Sequence, residues 1–74
     1  GDVYKRQIAA DNDIHVSEDE INSYGNDLAQ YYGYDDFNAI VDAVGSEVVS
    51  EIGYEILYQK VVEFECSQIT EVEQ

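Results

Sequence analysis

Carboxylates are the side chains of this sequence best placed to do chemistry, since 17 of its 74 residues are Asp or Glu. Acid–base catalysis needs a carboxyl group in a dry pocket, whereas most of these acids fall on helix faces that the pattern predicts to be solvated. Asp11-Asn12-Asp13 begins like a calcium loop. However, Val16 stands where that loop needs glycine and Asn22 where it needs glutamate. The EF-hand interpretation therefore fails, and a hydrolase with paired carboxylates ranks a distant third among the functional hypotheses.

The candidate nucleophiles and metal ligands are equally sparse. His15 precedes the first strong helix signal and has no Ser or Cys partner at a recognisable spacing. Cys66 is the single cysteine and has no neighbouring Lys or Arg to activate it. None of the five serines follows aspartate, as the pantetheine-bearing serine of an acyl carrier protein does. The sequence thus predicts no catalytic residue, no metal site and no cofactor.

The charge balance restricts the partners. Three Lys and Arg oppose the 17 acids, for a formal net charge of -14. Such a chain repels phosphates, so neither a nucleic acid nor an anionic membrane is an expected partner, whereas basic polypeptides are. No apolar run approaches the roughly 18 residues of a membrane span. The single cysteine favours a reducing, cytoplasmic location.

Local signals predict an all-α fold of three helices, at about 17–32, 36–44 and 46–67. Ser17 and Glu20 form a capping box, with Val16 and Ile21 as its hydrophobic staple. Gly33 is the expected terminator of the first helix. Asp35 and Ser46 are the expected caps of the second and third helices. We expect a small orthogonal or hairpin arrangement of these helices.

The first seven residues differ in composition from the rest. They contain two of the three basic residues and resemble an adapter-derived leader, so we expect residues 1–7 to be non-native and residues 8–74 to form one helical domain. Ile8-Ala9-Ala10 resembles the last turn of a helix. Gly25 and Gly53 lie within predicted helices, where glycine allows close approach. We predict that the first and third helices cross near this pair. The alternative is that the two glycines arose by sequence drift at positions that tolerate glycine.

Aromatic residues are the most distinctive feature. Tyr31, Tyr32, Tyr34 and Phe37 cluster around the turn that ends the first helix, and Tyr54 and Tyr58 lie one turn apart on the third. Tyrosine covers apolar surface while tolerating water, which suits a recognition surface. We expect Tyr24 and Phe37 to be core residues, and Tyr54 and Tyr58 to be exposed.

Several segments occur in the order and spacing of a known family. They are Ile8-Ala9, then 14–21 with the capping box after an extended valine, then 28–34 with its Leu-Ala…Tyr-Gly turn, then Phe37, and finally 55–64 with its Leu-x-x-Lys-Val-x-x-Phe ending. Together they resemble the C-terminal domain of bacterial trigger factor, a ribosome-associated chaperone. The match covers nearly the whole chain after the leader.

This resemblance implies a fragment of a chaperone body, with a peptide-binding fold like that of trigger factor and SurA. It implies that the chain holds nascent and unfolded polypeptides, preferably with basic segments, and contains neither the ribosome-binding domain nor the peptidyl-prolyl isomerase domain. The chain would therefore not be an enzyme, and would reach the ribosome only through the domains that it lacks. The expected client-binding residues are Tyr31, Tyr34, Tyr54, Leu57, Tyr58 and Phe64. The alternative is an acidic helical adaptor that binds one basic protein.

Like-charge repulsion predicts how stability responds to solution conditions. A net charge of -14 destabilises the compact state, and salt screens this repulsion while mild acidification reduces the charge. Thermal unfolding should therefore occur at a higher temperature in added salt or at mildly acidic pH. A melting temperature that changes with neither would show that repulsion does not limit stability.

Overall fold

The computed structural model describes the backbone of residues 2–73 and the side chains of residues 3–69. Four helices make up most of this part of the chain: α1 (Asp2–Asp11), α2 (Glu18–Tyr32), α3 (Phe37–Val44) and α4 (Glu47–Glu73). The predicted all-α class is confirmed, but the predicted number of three helices is wrong.

The additional helix, α1, contains most of the segment that we expected to be a non-native leader. Its last turn includes Ile8 and Ala9, as the sequence predicted. The helix ends where the Asn12 side-chain amide donates to the Ile8 carbonyl oxygen at 2.9 Å and the Ile14 N–H donates to the Ala9 carbonyl oxygen at 2.9 Å. Asp13, whose φ is 57°, adopts a left-handed backbone conformation in the turn that follows α1.

Helix α2 begins and ends at the predicted signals. The Glu20 N–H donates to the Ser17 hydroxyl at 3.1 Å, and the Ser17 N–H donates to the Glu20 carboxylate at 2.9 Å, which completes the capping box. The acids of the first turn also suit the positive end of the helix dipole. Gly33 ends the helix with a φ of 83°, a left-handed conformation that costs glycine little.

The predicted cap of α3 is wrong by one residue. Asp36, not Asp35, is the cap, because its carboxylate accepts from the Ala39 N–H at 2.9 Å. Gly45 ends this helix, and its N–H donates to the Val41 carbonyl oxygen at 2.8 Å.

Helix α4 directly follows Ser46 but extends beyond its predicted end near residue 67, reaching Glu73. No glycine or proline follows Ser67 in the sequence, so no residue type that normally ends a helix is present there.

The chain divides into two compact units. The central unit, Val16–Ile56, contains α2, α3 and the beginning of α4. Its buried core draws on all three helices, and Val16, Ile21, Tyr24 and Leu28 are among the partly buried residues packed against it. The core residues are Ala29, Phe37, Ile40, Ile52 and Ile56. The expectation that Phe37 belongs to the core is confirmed, whereas Tyr24 is partly buried and packs against that core.

The two helix glycines have different neighbours from those that the sequence predicted. A Cβ atom on Gly25 would lie within 3.0 Å of three atoms of the Phe37 ring, so the close approach is to α3. A Cβ atom on Gly53 would lie 3.5 Å from Ile21 Cδ1, which is an ordinary contact. The proposed crossing at the glycine pair is therefore wrong. Gly25 accommodates an aromatic ring, and Gly53 faces an aliphatic side chain of α2.

The terminal unit comprises Gly1–His15 and Leu57–Gln74. Among its described residues Ala9 and Val61 are buried. Lys5 Nζ lies 2.9 Å from Glu65 Oε1, and this hydrogen bond is the main reason that the pKa of Lys5 is raised above its usual 10.5. Lys60 Nζ donates to the His15 carbonyl oxygen at 2.7 Å, so it holds the segment that leaves α1.

Gly25→Ala and Gly53→Ala should change stability in opposite directions. Alanine stabilises a helix by about 1 kcal/mol relative to glycine, and at Gly53 the added methyl meets only an ordinary contact. At Gly25 it overlaps the Phe37 ring, and overpacking costs about 1–3 kcal/mol. Chemical denaturation should therefore show a more stable Gly53→Ala variant and a less stable Gly25→Ala variant. A Gly25→Ala variant at least as stable as the parent would contradict the close packing of Phe37.

Candidate functional site

The predicted client-binding residues are divided between the two units. Tyr31, Tyr34 and Tyr54 belong to the central unit, and Leu57, Tyr58 and Phe64 to the terminal unit. Tyr31 is 82% exposed, Tyr58 42% and Tyr34 38%. The half-buried members are Tyr54, Leu57 and Phe64. The expected exposure is thus confirmed for Tyr58 but wrong for Tyr54.

Three tyrosines at the end of α2 form what we call the tyrosine surface: Tyr31, Tyr32 and Tyr34. The Tyr31 and Tyr32 rings meet edge to face, with centroids 4.9 Å apart and planes at 77°. Tyr32 is 67% exposed. The turn is held by Gly33 and by the Tyr34 N–H, which donates to the Ala29 carbonyl oxygen at 2.8 Å. A short, well-defined turn therefore presents these rings to solvent.

Tyr58 differs because its ring already has a neighbour in the terminal unit. The ammonium of Lys5 lies 5.2 Å from the ring centroid, within the range of a cation–π interaction. The same ammonium pairs with Glu65. Tyr58 is thus an exposed ring partly engaged in the structure of its own unit.

A groove that the sequence did not predict lies between α2 and α3. It consists of two adjoining pockets of about 320 and 330 Å³. The two pockets have Asn22, Phe37 and Asn38 in common. We call it the α2–α3 groove, and its lining residues are Glu18, Ile21, Asn22, Asn26, Asp36, Phe37, Asn38, Val41 and Val49.

The groove has an apolar part and an amide-rich part. Ile21, Val41 and Val49 line the first pocket together with Phe37. Asn22 and Asn26, one turn apart on α2, line the second. These asparagines were the available sequence signal, because asparagine is an unfavourable residue in a helix interior. Their position beside the apolar stripe of α2 could have indicated that this side of the helix forms a polar edge of a groove.

Asn26 also positions the groove. Its side-chain oxygen accepts from the Phe37 N–H at 2.9 Å, which satisfies one of the unpaired donors at the start of α3. The Phe37 ring then lies against Gly25. A side-chain hydrogen bond and an aromatic contact thus place the start of α3 against the middle of α2.

The central unit carries acidic charge without any basic residue. Its sequence contains ten carboxylates and no Lys, Arg or His. Two of them, Glu18 and Asp36, line the groove. The others are Asp19, Glu20, Asp27, Asp35, Asp42, Glu47, Glu51 and Glu55. A partner of this unit is therefore favoured electrostatically if it supplies cations.

Within the described residues, no three His, Cys, Asp or Glu side chains lie together as a metal site would require. His15 Nε2 lies 2.6 Å from Asp13 Oδ1, but the two side chains are 75% and 92% exposed, so water screens their interaction. Among the same residues, no helix is both long and apolar enough to cross a bilayer.

Asn26→Ala should destabilise the central unit by about 1 kcal/mol, because it removes the acceptor of the Phe37 N–H. Asn26→Asp is the matched control, since it retains an acceptor oxygen and adds negative charge at the start of α3. Thermal and chemical unfolding of both variants would check this expectation. Equal losses in both variants would contradict the role of the hydrogen bond.

No protein-family model, curated protein or solved structure matches this chain. The resemblance to trigger factor therefore depends on the order and spacing of the sequence motifs alone. The structural features that bear on function are the tyrosine surface, the α2–α3 groove and the charge of the central unit.

Proposed function

We propose that this chain is a non-catalytic holding module for unfolded and nascent polypeptides, the distal part of a chaperone body of the trigger-factor type. The observation that carries the proposal is the tyrosine surface. Tyr31, Tyr32 and Tyr34 are 82%, 67% and 38% exposed, and Asp35 and Asp36 directly follow them. The rings offer apolar contact area, and the acids keep this area hydrated when no client is bound.

The energy of holding comes from apolar area removed from water. Burial contributes about 25 cal/mol per Å², and an aromatic side chain offers about 150–250 Å². Ordering a flexible client opposes this gain. One patch therefore binds weakly, and useful affinity requires several patches engaged at once. Weak binding also allows the client to leave and fold.

The acidic surroundings select among clients. Ten carboxylates without a basic residue attract segments rich in Lys and Arg, and they also oppose self-association. The attraction between exposed charges decreases with ionic strength. Client binding should accordingly be weak and sensitive to salt. In the resembled family, proline isomerisation and ribosome docking belong to separate domains, and the proposal for this chain is confined to holding.

An acidic adaptor that binds one basic protein is the second candidate. The α2–α3 groove favours it, because two preformed pockets offer a more selective contact than exposed rings do. An adaptor should retain one saturable partner, whereas a chaperone module should bind many unfolded chains and release them when they fold. A comparison of folded and unfolded forms of the same basic proteins distinguishes the two functions.

Replacing Tyr31 and Tyr32 by serine should weaken client binding about five- to thirtyfold, since losing both rings together should cost about 1–2 kcal/mol at a weak, exposed patch. Serine and tyrosine have similar helix propensities, and both rings are largely exposed, so stability should change little. The measurement is fluorescence anisotropy with a permanently unfolded basic protein.

Val44→Ser is the matched control, because Val44 is 61% exposed in the same unit but lies at the end of α3. It should leave affinity nearly unchanged. Equal binding by the tyrosine variant and the parent would overturn the proposed function. Nanomolar or salt-independent binding by the parent would contradict the mechanism of weak patches.

A further inference from the structure

We propose that the α2–α3 groove binds a short extended polypeptide segment in which one or two aliphatic side chains lie between two basic residues. This site differs from the tyrosine surface and involves other residues. This inference rests on the second candidate function, the adaptor, whose site and partner it specifies, and not on the holding function of the three tyrosines. The proposal specifies both a register and a residue pattern for the bound segment.

The positions of the lining residues indicate how a bound segment would be aligned along the groove. Glu18 contributes to the apolar pocket and Asp36 to the amide-rich one, so each pocket contains one carboxylate. Along α2 the lining runs from Glu18 to Asn26, about 12 Å at 1.5 Å per residue. An extended segment advances about 3.3 Å per residue, so about four residues match this length. Its end residues would meet Glu18 and Asp36, and its middle residues the apolar lining.

The shape and polarity of the groove suit a peptide segment. A volume of about 320 Å³ lies at the lower end of the range of about 300–1,000 Å³ for ligand sites, so it accommodates side chains rather than a large cofactor. Ile21, Val41 and Val49 supply the aliphatic contact. The exposed amides of Asn22 and Asn38 can each donate to a carbonyl and accept from an N–H of an extended backbone.

Charge complementarity decides which occupant fits. The central unit has ten carboxylates and no basic residue, so cations on the segment meet attraction throughout this unit. A second copy of the chain would bring a net charge of -14 toward the first, and the two would repel each other. The favoured occupant is therefore a basic polypeptide segment.

The test uses the full chain and two synthetic peptides, one with Arg-Leu-Ile-Arg in a glycine–serine frame and one with both arginines replaced by glutamate. Two double variants have the same net charge. Glu18→Gln with Asp36→Asn alters the groove, while Asp27→Asn with Glu51→Gln alters carboxylates outside it. Asparagine is as good a helix cap as aspartate, so Asp36→Asn preserves the start of α3. Glu18→Gln leaves the Ser17–Glu20 capping box intact.

The expected result has three parts. The basic peptide shifts the NMR signals of Ile21, Val41 and Asn22, and the acidic peptide does not. The groove variant binds the basic peptide about three- to tenfold more weakly than the control variant, since two exposed ion pairs are lost. Thermal unfolding curves of the two double variants show that both are folded at the temperature of the binding measurement.

Other outcomes overturn the proposal. Equal weakening in both double variants would indicate general charge attraction without a site. Shifts confined to Tyr31 and Tyr34 would place the peptide on the tyrosine surface and leave the holding function standing. Groove signals that shift with protein concentration alone would identify a second copy as the occupant. Conversely, failure of the tyrosine variant to lose client binding would remove the holding function but not these groove shifts.

Discussion

The contact between the Phe37 ring and Gly25 is the constraint on which the central unit depends. The ring occupies the space that a side chain on Gly25 would need, and the Phe37 N–H is paired with Asn26 on the same helix. These two interactions determine where α3 begins and how closely it approaches α2. Because the groove lies between these helices, the same contact that completes the core also shapes the groove.

Basic and acidic side chains are distributed unequally between the two units. All three Lys and Arg residues belong to the terminal unit, where Lys5 pairs with Glu65 and Lys60 holds the His15 carbonyl. The central unit has only carboxylates, so attraction within it must come from apolar packing and hydrogen bonds. Its surface consequently attracts cations from a partner.

The exposed tyrosines and the net negative charge of this chain have opposite effects on self-association. Uncovered tyrosines would ordinarily favour association, but a strong net charge keeps such molecules apart. The tyrosine surface and the α2–α3 groove differ in character, since the first offers exposed rings and the second a preformed cleft with amide edges. For both, the function that we propose is non-covalent binding of a flexible, basic polypeptide.

The sequence by itself determined the all-α class, the capping box at Ser17, the glycine stop at Gly33 and the acidic surface. These features involve hydrogen bonds and periodicities within a few residues, so local rules predict them. Only the tertiary structure decided that α1 continues through the first residues, that Asp36 begins α3, that Phe37 rather than Gly53 lies against Gly25, and that Tyr54 is half-buried. It also created the groove, because Asn22, Asn38 and Val49 become neighbours only when three helices pack. Contacts between residues distant in the chain depend on how whole helix faces fit together, which no local pattern contains.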